Sequence, residues 1–438
     1  MDAERKERIP SFRDALLFWF KLGWITFGGT AAHIAVMQEE LVDRRQWISH
    51  RRFLHALSHC MVLPGPEAQQ LATYIGWTLH GKRGGVVAGT LFVLPSMFII
   101  LGLSIIYVRF GALPWIAAMF AGMKPAVIAL VVVALLKVAK RSLRSPVQLV
   151  VAAAAFATMF FLGASILLVL FSTIAFGIVV AWLLPGLLKI PSVESEAEEH
   201  EACIDGGPEP LKALLKSTIT LAGIVLLLWF LPLTAFFLFL HDFHFWKAIA
   251  LFFTRTACVT VGGSYTVLPY VAQVTVSKLH WLSKAQMVDG FALAETTPGP
   301  LIIVVAFVGF MAGYNHFHGS LWMGTLALLA TTFYTFLPCF LFVFAGAPLV
   351  ERTQGKPMIE GILRLITAVV VGAILDLTLF LGKTAFFPSG VATLQGIDPA
   401  SLLWAIFALV LLLRFKVNVI QLVLMSVAFG LVRYLLRA

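Results

Sequence analysis

Two Pro-Gly-Pro triplets interrupt apolar stretches of this chain, Pro64-Gly65-Pro66 within "HCMVLPGPEAQQLATYIG" and Pro298-Gly299-Pro300 within "LAETTPGPLIIVVAFVG". The surrounding apolar runs are about 20 residues long, as a bilayer-spanning helix requires. Pro-Gly-Pro cannot continue such a helix, because each proline lacks an N–H and glycine is conformationally loose. The second proline instead suits the first turn of a new helix. Each triplet therefore predicts a helix that stops and restarts inside the membrane.

The two triplets belong to a longer repeat. Adding 234 to a residue number carries Gly28-Gly29 onto Gly262-Gly263, Trp47 onto Trp281, Ser49 onto Ser283 and the first triplet onto the second, without a gap. Chance similarity between apolar stretches rarely keeps register through glycine, tryptophan and proline together, so the chain reads as two homologous halves. Beyond Gly76 the register slips, and Pro95 and Pro338 match only with an insertion.

With 60% hydrophobic and 12% charged residues, the whole chain reads as an all-α polytopic membrane protein. About thirteen spans are expected: 12–38, 54–80, 85–109, 113–140, 146–162 and 164–185 in a first half (1–188), then 213–240, 245–273, 286–313, 320–349, 358–382, 400–414 and 417–436 in a second (213–438). The seven-span offset between equivalent helices makes the repeat inverted, six plus one plus six, as in secondary transporters that bind substrate near the midplane between halves. The segment 189–212 is expected to be an acidic cytoplasmic linker, since residues 190–210 hold seven acids, three prolines and no Lys or Arg. The polar start leads straight into an apolar segment with no small-residue cleavage pattern, so no cleavable signal is expected.

The net charge of +10 fits cationic loops facing anionic lipid, and without a basic soluble domain no nucleic-acid partner is expected. Loop charges mostly place the N-terminus in the cytoplasm and the C-terminus outside. The exception is "EELVDRRQWISHRRF", which predicts either an interfacial amphipathic helix or first helices that are re-entrant. Cys60, Cys203, Cys258 and Cys339 are scattered, which suggests neither a metal site nor a disulfide framework. No cofactor is expected.

A helix restarting at membrane depth directs unpaired N–H groups and about half a positive charge at whatever precedes it, which is an anion site. Gly28-Gly29-Thr30 and Gly262-Gly263-Ser264 add a second break in each half, where backbone amides and a hydroxyl could approach a ligand. The competing readings are a plain proline kink and close glycine-mediated helix packing. Four cations fall within spans: Lys21 and Arg255, again 234 apart, and Lys124 and Arg364 before "AVIALVVV" and "LITAVVVG". A central basic residue costs about 3 kcal/mol, so repeated ones suggest a pocket or ion pair, although Lys124 and Arg364 could also snorkel. Glu67, Glu295 and His33 are candidates for proton coupling, with His59, Asp289 and Asp376 less well placed.

At these residues the chain resembles the chromate ion transporter family in its long, two-domain form. The resemblance rests on "FKLGWITFGGTAAHIAVMQEELVDRRQWIS", "LPGPEAQQLATYIGWTLHGKRGGVVAGTLFVLPS", "VGGSYTVLPY" and "AETTPGPLIIVVAFVG". Thr30 stands where the family motif commonly has proline. The resemblance implies a bacterial inner-membrane exporter of chromate that confers resistance, with sulfate as a related anion and a homodimer as a candidate assembly. The helix breaks and cations by themselves say only "anion", and a passive anion channel, a transporter of another oxyanion or a membrane-embedded enzyme stay open beside the resemblance. The chain offers no metal cluster, nucleophile triad or nucleotide loop for the last of these.

Overall fold

The computed structural model describes residues 10–26, 29–183, 211–260, 267–346, 357–387 and 396–436. Among them every regular element is helical. In chain order the sixteen helices are α1 (Phe12–Ile25), α2 (Gly29–Gln38), α3 (His50–Val62), α4 (Glu67–Phe110), α5 (Pro114–Ser142), α6 (Pro146–Leu162), α7 (Ile166–Leu183), α8 (Leu211–Phe239), α9 (Phe243–Val259), α10 (Leu268–Ala272), α11 (Lys284–Glu295), α12 (Val304–His316), α13 (Leu321–Leu341), α14 (Pro357–Phe386), α15 (Pro399–Arg414) and α16 (Val419–Leu435). The linker expected at 189–212 lies outside the described residues up to 210.

Local chemistry explains many of the starts. The hydroxyls of Ser11, Ser49 and Ser320 accept from the N–H groups of Asp14, Arg52 and Met323. Reciprocal capping boxes open α6 (Ser145 and Gln148), α11 (Ser283 and Gln286) and α16 (Asn418 and Gln421).

The 234-residue register recurs in the element boundaries. α1 ends at Ile25 and α9 at Val259; π-helical turns cover Glu39–Arg44 and Gln273–Lys278; α3 begins at His50 and α11 at Lys284. After the triplets, α4 begins at Glu67 and a short 3-10 turn, Leu301–Ile303, leads into α12.

Nine of the thirteen expected spans are single helices or one arm of α4, whereas 12–38, 54–80, 245–273 and 286–313 are each divided by a break. Helix length alone supports fewer crossings than thirteen. Five helices among the described residues are long and apolar enough to cross a membrane, and five apolar ones are shorter. α1, with 14 residues, spans about 21 Å, less than a hydrocarbon core.

α4 is two helices folded back at His80-Gly81, where Gly81 adopts φ +64°. A side chain could not fit in the angle between the arms: a Cβ on Gly84 would lie 2.3 Å from the Gly76 carbonyl oxygen, and one on Gly89 2.2 Å from Thr73 Oγ1. Small residues bring the two backbones together, as in other lipid-embedded helix pairs. α12 and α13 form the matching pair, with Gly309 against Thr331 and Gly313 against the Met323 carbonyl.

The long helices exchange partners. α5 packs on α15 and α16, α14 packs on α6 and α7, and α5 and α14 meet each other. Glycines permit the close approaches, Gly122 against the Ser426 carbonyl and Gly372 against the Ala152 carbonyl. α8 has no counterpart in this scheme. It lies against α9 and α13 with Leu227, Leu231 and Phe239 outward.

The arginine-rich segment does not form one amphipathic helix. Its first part is the π-helical turn, where Arg44 pairs with Glu39 at 2.9 Å and Glu40 at 2.8 Å. Arg45 reaches Glu40 and lies 5.0 Å from the ring centres of both Phe18 and Trp47. Neighbouring carboxylates and aromatic faces thus offset charge that the sequence alone left unexplained.

Candidate functional site

The two triplets meet the opposite half of the chain at the middle of the bundle. Gly65 and Gly299 both adopt positive φ, +125° and +111°, a region that side chains disfavour. Gly65 donates its backbone N–H to the Thr260 carbonyl at 2.5 Å, and Gly299 donates to the Thr26 carbonyl at 3.0 Å. Thr26 and Thr260 terminate α1 and α9 and are themselves 234 residues apart. Each triplet therefore closes against the broken helix of the other half.

A second pair of contacts follows the same exchange. A Cβ on Gly299 would sit 1.6 Å from Ser96 Oγ, and one on Gly65 would sit 3.0 Å from Cys339 Sγ and 2.5 Å from Gln70 Nε2. Ser96 follows Pro95 in α4 and Cys339 follows Pro338 in α13, so each triplet also abuts the proline-bearing helix of the other half. Reciprocal contacts of this kind, i to j′ and j to i′, are the mark of a two-fold relationship.

The crossing is buried and polar at chosen points. Thr26 and Thr260 are almost wholly buried, and Gln69, Gln70 and Ser96 are fully so. Gln70 donates its side-chain amide to the Pro64 carbonyl, while Gln70 Oε1 and Ser96 Oγ have no hydrogen-bond partner among the described residues. No side chain caps the helix starts that follow Pro66 and Pro300. Unpartnered buried oxygens and uncapped starts are the groups that a small polar solute entering here would meet.

The expected Pro-Gly-Pro and Gly-Gly residues divide into three sets. Pro64, Gly65, Pro66, Pro298, Gly299 and Pro300 are at the crossing, although the amides of Gly65 and Gly299 already serve threonine carbonyls in this conformation. Gly29 and Thr30 open α2, where Thr30 Oγ1 is buried without a partner among the described residues. Gly28, Gly262, Gly263 and Ser264 lie outside the described residues.

Lys21 and Arg255 are not brought into the crossing. Lys21 is exposed on the face of α1 that carries Leu17, Phe20 and Trp24, and Arg255 is exposed on α9. Repeat equivalence fixes a residue's position but not its direction, and a long aliphatic stem lets the charge reach an interface. Arg364 is half-buried on α14.

Lys124 is held differently. Its ammonium lies 3.1 Å from Asp289 Oδ1, and Tyr107 donates its hydroxyl to Asp289 Oδ2 at 2.9 Å. Glu67 is half-buried in the first turn of α4, and Glu295 is buried at the end of α11. His33 is fully buried, with Nδ1 2.7 Å from the Gly29 carbonyl and its ring edge-on to Phe92. His59 contacts the His55 carbonyl through Nδ1 at 2.8 Å. Sequence reasoning missed Ser96, Cys339, Tyr107 and the threonine carbonyls; only the 234-residue spacing of Thr26 and Thr260 could have flagged any of them.

The family profile described as "Chromate transporter" matches residues 13–182 and 247–431. The chain belongs to this family. Its two matched segments contain both triplets and the crossing residues, and α8 falls wholly between them. The chain is thus a multi-pass membrane protein of a transporter family rather than an enzyme.

Relatives extend over most of its length. A chromate transport protein of Cupriavidus metallidurans is 27% identical, covering 93% of this chain and 89% of the relative. A chromate transport protein of Pseudomonas aeruginosa is 30% identical over 84% and 81%, and a probable one of Synechococcus elongatus 28% over 85% of each. No solved structure matches this chain.

Proposed function

We propose that the protein exports chromate across a bacterial cytoplasmic membrane by alternating access between two inverted halves, and that the reciprocal crossing of Gly65 with Thr260 and Gly299 with Thr26 is the centre of that motion. The observation that carries this reading is the exchange itself. Two breaks that complete each other across the halves must separate if the halves rock. Each net hydrogen bond contributes about 1 kcal/mol, so the pair is a weak latch that a transport cycle can open.

Opening the latch would release two glycine amides beside two uncapped helix starts, the donor set that suits a tetrahedral dianion. Relatives named as chromate transport proteins support chromate as that dianion. Sulfate has the same shape and charge and would compete. The seven-span offset supports opposite orientation of the halves, with the N-terminus inside and the C-terminus outside. At an inside-negative potential of about 100 mV, outward movement of a dianion releases about 4.6 kcal/mol, which suffices for export without a coupled ion.

The test is radiolabelled chromate movement into everted vesicles under controlled potential and pH gradients, with sulfate as competitor. Saturable accumulation driven by voltage supports the reading. Vesicles whose chromate uptake equals that of vesicles lacking the protein reject it.

A further inference from the structure

A cleft of about 310 Å3 opens where α4, α5, α11 and α12 meet, lined by Tyr107, Phe120, Lys124, Gln286, Asp289 and Tyr314 among others. It is separate from the crossing. Tyr107 is eleven residues beyond Ser96 on the same helix, or about 16 Å along its axis. Phe307, seven residues beyond Pro300, backs the cleft: it is fully buried, its ring is 5.5 Å from that of Tyr107, and a Cβ on Gly290 would come within 2.4 Å of it.

The cleft holds one cation and that cation's own counter-ion. Lys124 is partly accessible, with 23% of its side chain exposed, whereas Asp289 is 7% exposed and is held by both Lys124 and Tyr107. An ammonium that faces a polar cleft and is held by a buried carboxylate can exchange that carboxylate for a diffusible anion. The repeat equivalents sharpen this, because the cation persists as Arg364 while the position of Asp289 is taken by His55 in the first half.

We propose that this cleft is a second oxyanion-binding site, a vestibule in which an incoming tetrahedral dianion displaces Asp289 from Lys124. The proposal rests on the reading of the chain as an oxyanion transporter. Lys124 supplies the charge, the Tyr107 hydroxyl freed from Asp289 supplies a donor, and Gln286 and Tyr314 supply polar wall. Asp289 acts as a competitor that keeps the cation occupied when no anion is present, which prevents a costly unpaired charge.

A competitor and a structural ion pair differ in sign. Removing the competitor strengthens anion binding, whereas breaking a structural pair weakens everything alike. The experiment measures equilibrium binding of radiolabelled chromate and sulfate to the purified full-length protein in nanodiscs, with chromate flux in everted vesicles alongside. Asp289→Asn is expected to tighten binding at least threefold and to lower the KM for flux. Lys124→Gln is expected to weaken binding at least tenfold, and the double variant to behave as Lys124→Gln.

Unchanged binding in Asp289→Asn with flux intact overturns the vestibule while leaving the transporter reading in place. Absence of flux in the wild type overturns that reading instead. Should either substitution keep the protein out of the membrane, Tyr314→Cys in a Cys203→Ser, Cys258→Ser background gives the result. Sulfate should slow labelling of this cysteine by an anionic methanethiosulfonate, and labelling indifferent to sulfate overturns the proposal.

Discussion

Gly299 delivers its backbone N–H to the carbonyl of Thr26 at 3.0 Å, across 273 residues of chain. The geometry depends on a residue without a side chain, since φ is +111° and a methyl would fall 1.6 Å from Ser96 Oγ. Gly299→Ala is therefore expected to reduce chromate flux at least a hundredfold, with protein still detectable in the membrane. Ser96→Gly in the same chain removes the clash but not the backbone strain of about 1–2 kcal/mol, so it should restore flux only in part. Vesicle flux normalised to protein amount checks both.

The arms of α4 make a contrasting prediction about glycines. A Cβ on Gly84 meets the Gly76 carbonyl at 2.3 Å, whereas one on Gly102 meets nothing within 4 Å. Gly84→Val should destabilise the protein by more than 2 kcal/mol and lower the amount recovered from the membrane, while Gly102→Ala should leave yield and melting temperature unchanged. Gly81 has open space but combines φ +64° with ψ −167°, a region essentially confined to glycine, so Gly81→Asn and Gly81→Val should both lower the melting temperature. Thermal unfolding in detergent separates these outcomes.

Lys21 and Arg255 were expected to charge the central pocket, and the structure places both on exposed faces. Lys21→Gln and Arg255→Gln should retain chromate flux within about threefold, since an exposed charge contributes little. Lys124→Gln, by contrast, leaves Asp289 without its cation and should be far more damaging. Parallel flux measurements on the three variants check the ordering.

Two loop carboxylates set an acid limit. Asp242 is held below the usual carboxylate range first by its hydrogen bond with His316, at 2.6 Å. Asp398 is also lowered, because the bidentate Arg433 guanidinium and the Ser401 hydroxyl outweigh the opposing effect of burial. A carboxylate lowered in the folded state stabilises it fully above its unfolded pKa of about 3.9, and this contribution is lost as pH falls through the folded value. Arg433→Ala should cost about 2 kcal/mol at neutral pH and progressively less in acid. Melting temperature measured between pH 3 and 7 for wild type and variant checks the sign.

Much of this architecture is legible in the residues. Gly-Gly, Trp, Ser and Pro-Gly-Pro kept in register announce helix ends and starts that the structure reproduces at 234-residue spacing, because punctuation residues act locally. Direction is not local. Nothing near Lys21 says that its side chain joins Leu17 and Phe20 on an outer face, and nothing near Gly65 says that its amide is already engaged by Thr260. The meeting of Lys124 with Asp289 depends on how α5 and α11 pack, which apolar periodicity in helices this uniformly hydrophobic does not encode. Ser96 and Cys339 escaped notice because their importance lies in facing a glycine of the opposite half.

The crossing as the moving centre is tested most directly by tying it shut. Cys339 Sγ lies 3.0 Å from where the Cβ of Gly65→Cys would stand, a spacing suited to a disulfide across the two halves. Oxidation of Gly65→Cys in a Gln70→Ala background, which removes the 2.5 Å clash of that Cβ with Gln70 Nε2, should give a 65–339 cross-linked peptide by mass spectrometry and stop the chromate flux that the same vesicles show under reductant. A cross-linked protein that carries chromate at its reduced rate would contradict the account.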